Sequence, residues 1–318
     1  MNKNNTAKKK SGLAFLGRGV MPMFLTLILL IIISVVMSSN FLKLTNIMNV
    51  LRQVSTNGVI AIGMTFVILT GGIDLTVGSV VACVSVCVAM LQDIPAVPAF
   101  VIGILIGVVC GLISGVIIHY RKMQPFIVTL AMMQIVKGVA YLISGGHPIV
   151  GVSDGLNKFG SGYVGPMPLP AVTMLVLFII AYLLLDHTYY GRSIYAIGGN
   201  EEAARLSGTK VGIVKVSAYF ISGFCAALAS LMIVSRLQAG EPQVGNGYEM
   251  DAIASVAIGG TSMAGGVGSI LGTFIGVLIL GILNNMFNLL NLNAYVQDVV
   301  KGIIILVAVL LTTKDNKK

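Results

Sequence analysis

Long apolar runs, separated by short polar stretches, repeat along almost the whole chain. Residues 26–36 (TLILLIIISVV) and 171–185 (AVTMLVLFIIAYLLL) contain no charged side chain and no alternation of polar and apolar positions. Strands of a membrane barrel alternate with a period of two, so these runs indicate helices, which satisfy their own backbone hydrogen bonds in lipid. Charges, prolines and glycine pairs separate the predicted spans at 22–39, 54–70, 76–91, 97–118, 125–145, 168–185, 213–235, 250–264, 267–287 and 294–312. We therefore predict an all-α, polytopic transmembrane helical bundle of about ten spans.

The predicted spans form one transmembrane domain, 22–312, between an N-terminal tail, 1–21, and a C-terminal tail, 313–318. The first span is expected to remain uncleaved, because its apolar core is long and no small-residue cleavage pattern follows it. The third and eighth spans, 76–91 and 250–264, are short and bordered by glycine. We expect these two spans to be tilted, broken or re-entrant.

Composition indicates a bilayer environment rather than water. Hydrophobic residues make up 56% of the 318 residues, charged residues make up 10%, and the mean hydropathy is +0.96. Because a soluble domain has ~25% charged residues, the composition excludes a cytosolic enzyme, a secreted disulfide scaffold and a disordered chain. The cysteines lie in apolar spans without metal-ligand spacing, and we interpret them as packing residues. They are Cys83, Cys87, Cys110 and Cys225.

The basic residues, which give the chain a net charge of +9, are divided unevenly between the two sides of the predicted bundle. With a cytoplasmic N-terminus, one side collects Lys3, Lys8, Lys9, Lys10, Arg18, Arg121, Lys122, Arg192, Arg205, Lys210, Lys314, Lys317 and Lys318. The other side holds only Lys43, Arg52, Lys158 and Arg236. Since cytoplasmic loops are enriched in Lys and Arg, we predict that both termini are cytoplasmic. No concentrated basic face is present, so no nucleic-acid partner is expected.

Two segments carry glycine at every fourth position, which lines one face of a helix. These stripes are expected to pack closely against neighbouring helices, and they comprise Gly103, Gly107, Gly111 and Gly115, and Gly268, Gly272 and Gly276. Residues 135–139 (IVKGV) are echoed by 299–303 (VVKGI), so spans four and five resemble spans nine and ten with the opposite direction. Inverted repeats are typical of transporters. Val-Gly-Ser at both 77–79 and 267–269 favours a competing register.

Motifs for ATP hydrolysis and for zinc hydrolysis are absent. The chain contains neither G-x-x-x-x-G-K-[ST] nor H-E-x-x-H, and its three histidines lie near span ends. We therefore expect a membrane protein that is not an enzyme and binds no metal. Asp74, in the stretch 71–79 (GGIDLTVGS), interrupts an apolar region. We interpret it either as a cap for the third span or as an element beside a translocation path.

The polar segment at 186–212 has the pattern of a short helix within a loop. Asn200 is a candidate N-cap, two acids fill the first turn, and Gly208 closes the segment. The pattern predicts a helix of about two turns, which is too short to be stable alone in water. The segment is either a solvated connector or a docking helix for a soluble partner.

Three blocks of sequence carry a family resemblance. Residues 62–79 (IGMTFVILTGGIDLTVGS), 191–208 (GRSIYAIGGNEEAARLSG) and 247–269 (GYEMDAIASVAIGGTSMAGGVGS) resemble, in the same order, ribose-type sugar permeases of ATP-binding-cassette (ABC) importers. The resemblance covers nearly the whole chain from about residue 45. It implies a permease of the bacterial cytoplasmic membrane that imports a ribose-like monosaccharide and has no cofactor of its own, because a separate subunit uses the ATP.

The resemblance also implies partners and a coupling site. The expected partners are a cytoplasmic ABC ATPase, an extracytoplasmic sugar-binding protein, membrane lipid, and a second permease copy or a paralogue. The coupling helix of the family, which contacts the ATPase, corresponds to Asn200, Glu201, Glu202, Ala203, Ala204 and Arg205. Among possible cargoes of the same superfamily, branched-chain amino acids, nucleosides and a furanosyl signalling molecule stay open.

Two further groups of polar residues are candidates for transport roles. Glu241, Glu249 and Asp251 are either solvated loop acids or residues that dock the binding protein or line the outer vestibule. The candidates for a translocation path or gate are Asn57, Thr65, Thr70 and Asp74.

A secondary transporter driven by an ion gradient is the alternative from another functional class. Such a transporter needs buried ionisable groups. Lys137 and Lys301 are the candidates within spans, and the sequence indicates no acid paired with either lysine.

Overall fold

The computed structural model describes residues 13–315, and these residues form a bundle of helices with four two-residue strands. In chain order the elements are α1 (Leu13–Met37), α2 (Leu44–Leu69), α3 (Val77–Met90), α4 (Ala96–Tyr120), α5 (Pro125–Ser144), β1 (Ile149–Val150), α6 (Asp154–Ser161), β2 (Tyr163–Val164), β3 (Met167–Pro168), α7 (Leu169–His187), α8 (Tyr189–Gly199), α9 (Glu201–Leu206), α10 (Val211–Leu237), β4 (Ala239–Gly240), α11 (Tyr248–Ile258), α12 (Ile270–Leu289) and α13 (Ala294–Asp315). Most of the predicted N-terminal tail, residues 1–12, and the end of the C-terminal tail, residues 316–318, lie outside the described residues.

The all-α membrane class predicted from the apolar runs is confirmed. Within residues 13–315, six helices are long and apolar enough to cross a bilayer, namely α2, α4, α5, α7, α10 and α12. Each of the ten predicted spans corresponds to one helix, with α1, α3, α11 and α13 accounting for the remaining four. The spans predicted to be short are short, since α3 has 14 residues and α11 has 11.

Two boundaries differ from the prediction for identifiable reasons. Helix α2 begins at Leu44, ten residues before the predicted start, because its polar first half finds partners elsewhere in the fold. Asn46 and Asn285 exchange two amide hydrogen bonds of 3.0 and 2.8 Å, and Arg52 contacts the hydroxyl of Tyr163. Helix α11 ends at Ile258 because a glycine pair at 259–260 begins a loop that extends to α12.

Short strand pairs and two extra helices mark the opposite ends of the bundle. Antiparallel pairs β1–β4 and β2–β3 join the ends of α5, α7 and α10, and we call this end the β-pair side. Helices α8 and α9 connect the other ends of α7 and α10, and we call that end the α8–α9 side. Buried residues concentrate on α2, α3 and α10 at the centre, whereas α4, α5 and α7 present many apolar side chains outwards, as lipid contact requires.

The two glycine stripes do lie at helix–helix contacts, with one exception. On α4, Gly107 and Gly111 lie against Gly223 and Tyr219 of α10. Gly115 also faces α10, while Gly103 lies between α3 and α10. On α12, Gly272 lies against the backbone of Gly259, directly after α11, and Gly276 lies against Ser255 within α11. The exception is Gly268, which precedes α12 and faces Thr261 in the preceding loop.

Helix contacts repeat between the two halves of the bundle. Helix α4 packs on α10 and α3, while α12 packs on α2 and α11. Helix α5 contacts α3, and α13 contacts α11 in the corresponding way. The helices that correspond are α4 and α12, α5 and α13, α3 and α11, and α10 and α2. The two helices of each pair run in opposite directions between the two sides. This arrangement extends the predicted repeat of spans four and five from two helices to four in each half.

Candidate functional site

Helix α9 is a short capped helix at the end of the bundle. Asn200 has an extended backbone (φ −161°, ψ 105°), and its side-chain oxygen accepts a hydrogen bond from the backbone N–H of Ala203 at 2.9 Å. After six helical residues, the chain turns at Gly208, where φ is +84°, and the N–H of Thr209 donates to the carbonyl of Ala204. The predicted N-cap and helix are therefore present, and α9 is slightly shorter than two turns.

One face of α9 is anchored and the other is exposed. Ala204 is buried, and Glu201 forms an ion pair with Lys215 of α10. On the exposed face, the guanidinium of Arg205 holds both carboxylate oxygens of Glu202, with an Nε–Oε2 distance of 3.0 Å. This pairing lowers the pKa of Glu202 and raises the pKa of Arg205, so both groups stay charged at neutral pH.

Most of the segment predicted as a loop at 186–212 is helical, because α8 spans Tyr189–Gly199 before α9 begins. The side chain of Thr188 caps α8 by accepting from the N–H of Gly191 at 3.2 Å. Ile194 and Ile197 are both buried, so α8 lies on the bundle instead of extending into solvent. The glycines of this stretch weaken its helical pattern in the sequence, and packing on α2, α7 and α10 compensates for them.

The last turn of α8 meets two other chain segments at a cluster of glycines. A methyl group on Gly198 would overlap the carbonyl oxygen of Leu69, at the end of α2, and the backbone of Gly266, in the loop before α12. A methyl group on Gly265 would likewise crowd the backbone of Gly71 and Gly198. We call Gly71, Gly198, Gly265 and Gly266 the glycine junction.

The glycine junction allows direct backbone contact between three elements. The N–H of Gly266 donates to the carbonyl of Leu69 at 3.0 Å, and the hydroxyl of Tyr195 on α8 donates to the carbonyl of Gly268 at 3.2 Å. A displacement of α8 and α9 would therefore act on the end of α2 and the start of α12. Sequence reasoning missed this junction, although the glycine pairs at 71–72, 198–199 and 265–266 are the signal for it.

Asp74 lies fully buried in the turn between α2 and α3. Its Oδ1 accepts hydrogen bonds from both the backbone N–H (3.0 Å) and the hydroxyl (2.5 Å) of Thr76, and its Oδ2 accepts from the hydroxyl of Ser222 on α10 at 2.7 Å. The N-cap residue of α3 is Thr76, without a side-chain cap bond, so Asp74 braces the turn before α3 and ties it to α10, and a role beside a translocation path stays a prediction. Three donors enclose the carboxylate, which leaves it no accessible surface.

The other candidate path residues differ in accessibility. Thr65 is buried and pairs with the hydroxyl of Thr273 on α12 at 2.9 Å, while Thr70 bonds to the carbonyl of Val67. Asn57 is half-buried and donates to Asp251 at 3.4 Å. Asn57 is therefore partly accessible, whereas Thr65, Thr70 and Asp74 are buried.

The three acids on the β-pair side have different partners. Asp251, in the first turn of α11, pairs with Lys301 of α13 at 3.4 Å. The expectation that Lys301 has no acidic partner is therefore wrong, because the fold brings the start of α11 beside α13. The carboxylate of Glu249 lies against Gly78, and Glu241 bonds to the N–H of Gln243 in the loop before α11. The docking role of these acids stays a prediction.

Two other predictions concern metals and cysteines. Across residues 13–315, no group of three or more His, Cys, Asp or Glu side chains is arranged to hold a metal ion. The four cysteines carry free thiols, with Cys83 and Cys225 buried among apolar neighbours.

Comparisons with known proteins agree with this arrangement. The family described as branched-chain amino acid transport system / permease component matches residues 46–309. The ribose import permease protein RbsC of Bacillus subtilis (strain 168) is 50% identical over 297 residues, which cover 92% of this chain and 92% of the relative. RbsC of Escherichia coli (strain K12) is 43% identical over 300 residues, which again cover 92% of each chain. The L-arabinose transport system permease protein AraH of Escherichia coli (strain K12) is 40% identical over 285 residues, or 87% of this chain and 85% of the relative. No solved structure matches the chain significantly.

Proposed function

The chain belongs to the family of branched-chain amino acid transport system / permease components, and from this premise we propose that it is the membrane-spanning subunit of an ABC importer for ribose. The cargo is inferred from the names of the ribose import permeases that are 43–50% identical over 92% of the chain. The chain is a transport component, and ATP is hydrolysed by a separate subunit.

The proposed coupling mechanism rests on one observation, the way in which α9 is attached to the bundle. This helix is capped by Asn200, presents Glu202 and Arg205 to solvent, and is attached through α8 to the glycine junction. We propose that Asn200, Glu201, Glu202, Ala203, Ala204 and Arg205 form the element that enters a cleft of the ATPase. Closure of the ATPase on ATP would push α9 and α8 together, and the junction would pass this movement to α2 and α12.

Orientation follows from the same proposal. The α8–α9 side is cytoplasmic, since a soluble ATPase must reach α9, and the excess of Lys and Arg in the loops of that side supports this orientation. Both termini are then cytoplasmic, and the β-pair side faces the extracytoplasmic sugar-binding protein. We include Glu241, Glu249 and Asp251 on that side as candidates for binding-protein contact.

We further propose that the permease acts as a pair, either two copies of this chain or one copy with a paralogue. The family resemblance implies such a pair, in which each chain presents one α9 to the ATPase. The surrounding partner is lipid, which contacts the outward apolar faces of α4, α5 and α7.

The experiment that tests the proposal is uptake by a reconstituted importer. Proteoliposomes contain the permease, its ATPase on the outside and the sugar-binding protein inside, so that transport delivers [14C]ribose to the medium. We expect release of ribose that requires ATP and the binding protein and persists when ionophores collapse ion gradients. Transport that continues without ATP and stops with the ionophores would overturn the proposal in favour of a secondary transporter.

A further inference from the structure

Three polar side chains from three helices meet within the bundle, and we call Asn57, Asp251 and Lys301 the α2–α11–α13 cluster. The Nδ2 of Asn57 and the Nζ of Lys301 both donate to Oδ2 of Asp251, each at 3.4 Å. Charge-assisted hydrogen bonds are usually ~2.7–2.9 Å long. The carboxylate oxygen is therefore held loosely by two donors, and both contacts are open to competition.

The cluster also contains an unused acceptor. The Oδ1 atom of Asn57 is buried, and no residue within the described part of the chain donates a hydrogen bond to it. A buried acceptor without a donor costs ~1–3 kcal/mol. A ligand that brings its own hydroxyl donor would remove this cost.

Accessibility distinguishes Asp251 of the cluster from Asp74, the acid among the candidate path residues. The Asp74 carboxylate is sealed by Thr76 and Ser222 and has no exposed surface, so nothing can exchange with its partners. The side chains of Asp251 and Lys301 retain 15% and 22% of their exposure. Asp251 and Lys301 therefore keep some accessible surface, whereas Asp74 has none.

The position of the cluster matches the entry of cargo from the β-pair side. Lys301 lies seven residues into α13, or about 10 Å along the helix axis from Ala294. Asp251 lies in the first turn of α11, and both helices begin on the β-pair side. The cluster thus lies inside the bundle, below the surface at which a binding protein would release its sugar.

We propose that the α2–α11–α13 cluster is a weak, transient binding site for the hydroxyl groups of a pentose on its way through the permease. This inference rests on the transport function proposed above. One sugar hydroxyl donates to Oδ1 of Asn57, a neighbouring hydroxyl donates to Asp251, and Lys301 donates to a sugar oxygen. Because the sugar competes with an existing ion pair, affinity stays low, which lets the cargo leave again.

The repeat supplies a matched control. Lys137 on α5 occupies the position equivalent to Lys301 in the repeated V-K-G pattern. It donates to Oδ1 of Asn246 at 3.2 Å and forms no ion pair within the described residues. Replacing Lys137 with Met therefore removes an intramembrane lysine that makes no hydrogen bond to the cluster.

The test is binding of ribose to the permease in lipid nanodiscs, measured by saturation-transfer difference NMR at millimolar ribose. We expect a saturable signal for the wild type and for Lys137→Met, and affinity weakened about tenfold or more for Asn57→Ala and Asp251→Asn. Asn57→Ala leaves the Asp251–Lys301 pair in place. Asn57→Thr, whose side chain is too short to reach Asp251, serves as the second variant if the alanine variant does not fold.

Two results would overturn the inference. One is a wild-type permease without saturable ribose binding in nanodiscs, and the other is equal affinity in wild type and in the Asn57 and Asp251 variants. Ribose uptake by the wild-type importer distinguishes failure of the binding site from failure of the proposed function. Ribose uptake without binding at the cluster rejects the site alone, whereas absence of ribose uptake rejects the proposed function and the site with it.

Discussion

The backbone N–H of Gly266 donates to the carbonyl of Leu69 at 3.0 Å, and this hydrogen bond joins the loop before α12 to the last turn of α2. Gly198, from the last turn of α8, packs directly on both residues. Helices that are far apart in the chain therefore share one small contact beside the exposed helix α9. A movement of α9 has a short route into the centre of the bundle.

Gly198→Ala tests this route. A methyl group at Gly198 would overlap the carbonyl oxygen of Leu69, so the junction must open. Overpacking of this kind costs ~1–3 kcal/mol. We expect ribose transport by the reconstituted importer to fall about tenfold, while ATP hydrolysis continues at its basal rate. The measurement is the ratio of sugar transported to ATP hydrolysed.

Gly199→Ala is the matched control for that variant. A methyl group on Gly199 meets no atom within 4 Å, so the added side chain leaves the junction unchanged. We expect wild-type transport and wild-type coupling from it. Equal loss of coupling in the two variants would assign the effect to α8 itself and not to the junction.

Asn200→Ala tests the cap of α9. Loss of an N-cap side chain costs about 1 kcal/mol of helix stability. Because docking must then supply this free energy to order α9, we expect ATPase binding to weaken about fivefold. The measurement is the Kd of the isolated ATPase for nanodisc-embedded permease, by biolayer interferometry. Asn200→Ser keeps an oxygen that can accept from Ala203 and adds no charge to α9, so it should bind with wild-type affinity.

Close packing of the glycine stripe on α4 predicts different stability effects for Gly107 and for Gly138, an unpacked glycine on α5. Gly107 packs on the backbone of Gly223, so Gly107→Ala should destabilise the permease by ~1–3 kcal/mol. Gly138 of α5 has no atom within 4 Å of an added methyl group. Gly138→Ala should be neutral or stabilising by up to ~1 kcal/mol, because alanine favours a helix. The measurement is the midpoint of thermal unfolding of each variant in detergent. Equal midpoints for Gly107→Ala and Gly138→Ala would contradict close packing at Gly107.

The membrane class and most helices could be predicted because lipid requires local features. A span must be apolar over most of its own length, and α4 and α7 therefore appear in the sequence as long apolar runs. The cap of α9 is equally local, since Asn200 bonds to a residue three positions away. Features of this kind depend on neighbours in sequence.

The features that sequence reasoning missed depend on distant partners. The polar start of α2 is helical because Asn46 pairs with Asn285, which is 239 residues away. Lys301 has an acidic partner, Asp251, because α11 begins beside α13, and no periodicity in either segment indicates that contact. The glycine junction likewise combines three segments whose glycine pairs are individually ordinary turn signals.

The charge pattern on the exposed face of α9 gives the sharpest test of docking. Glu202→Arg places two cations three residues apart, and we expect ribose transport to fall about tenfold or more because the ATPase cleft no longer matches the helix. The double exchange Glu202→Arg with Arg205→Glu restores an ion pair within α9 but reverses the pattern that the partner meets. Since both side chains are exposed, neither change should affect membrane insertion, which the amount of tagged permease in the membrane measures. If α9 is a docking helix, transport stays low in the double variant. Recovery of transport in the double variant would mean that α9 needs only its internal ion pair, and the segment would then be a solvated connector.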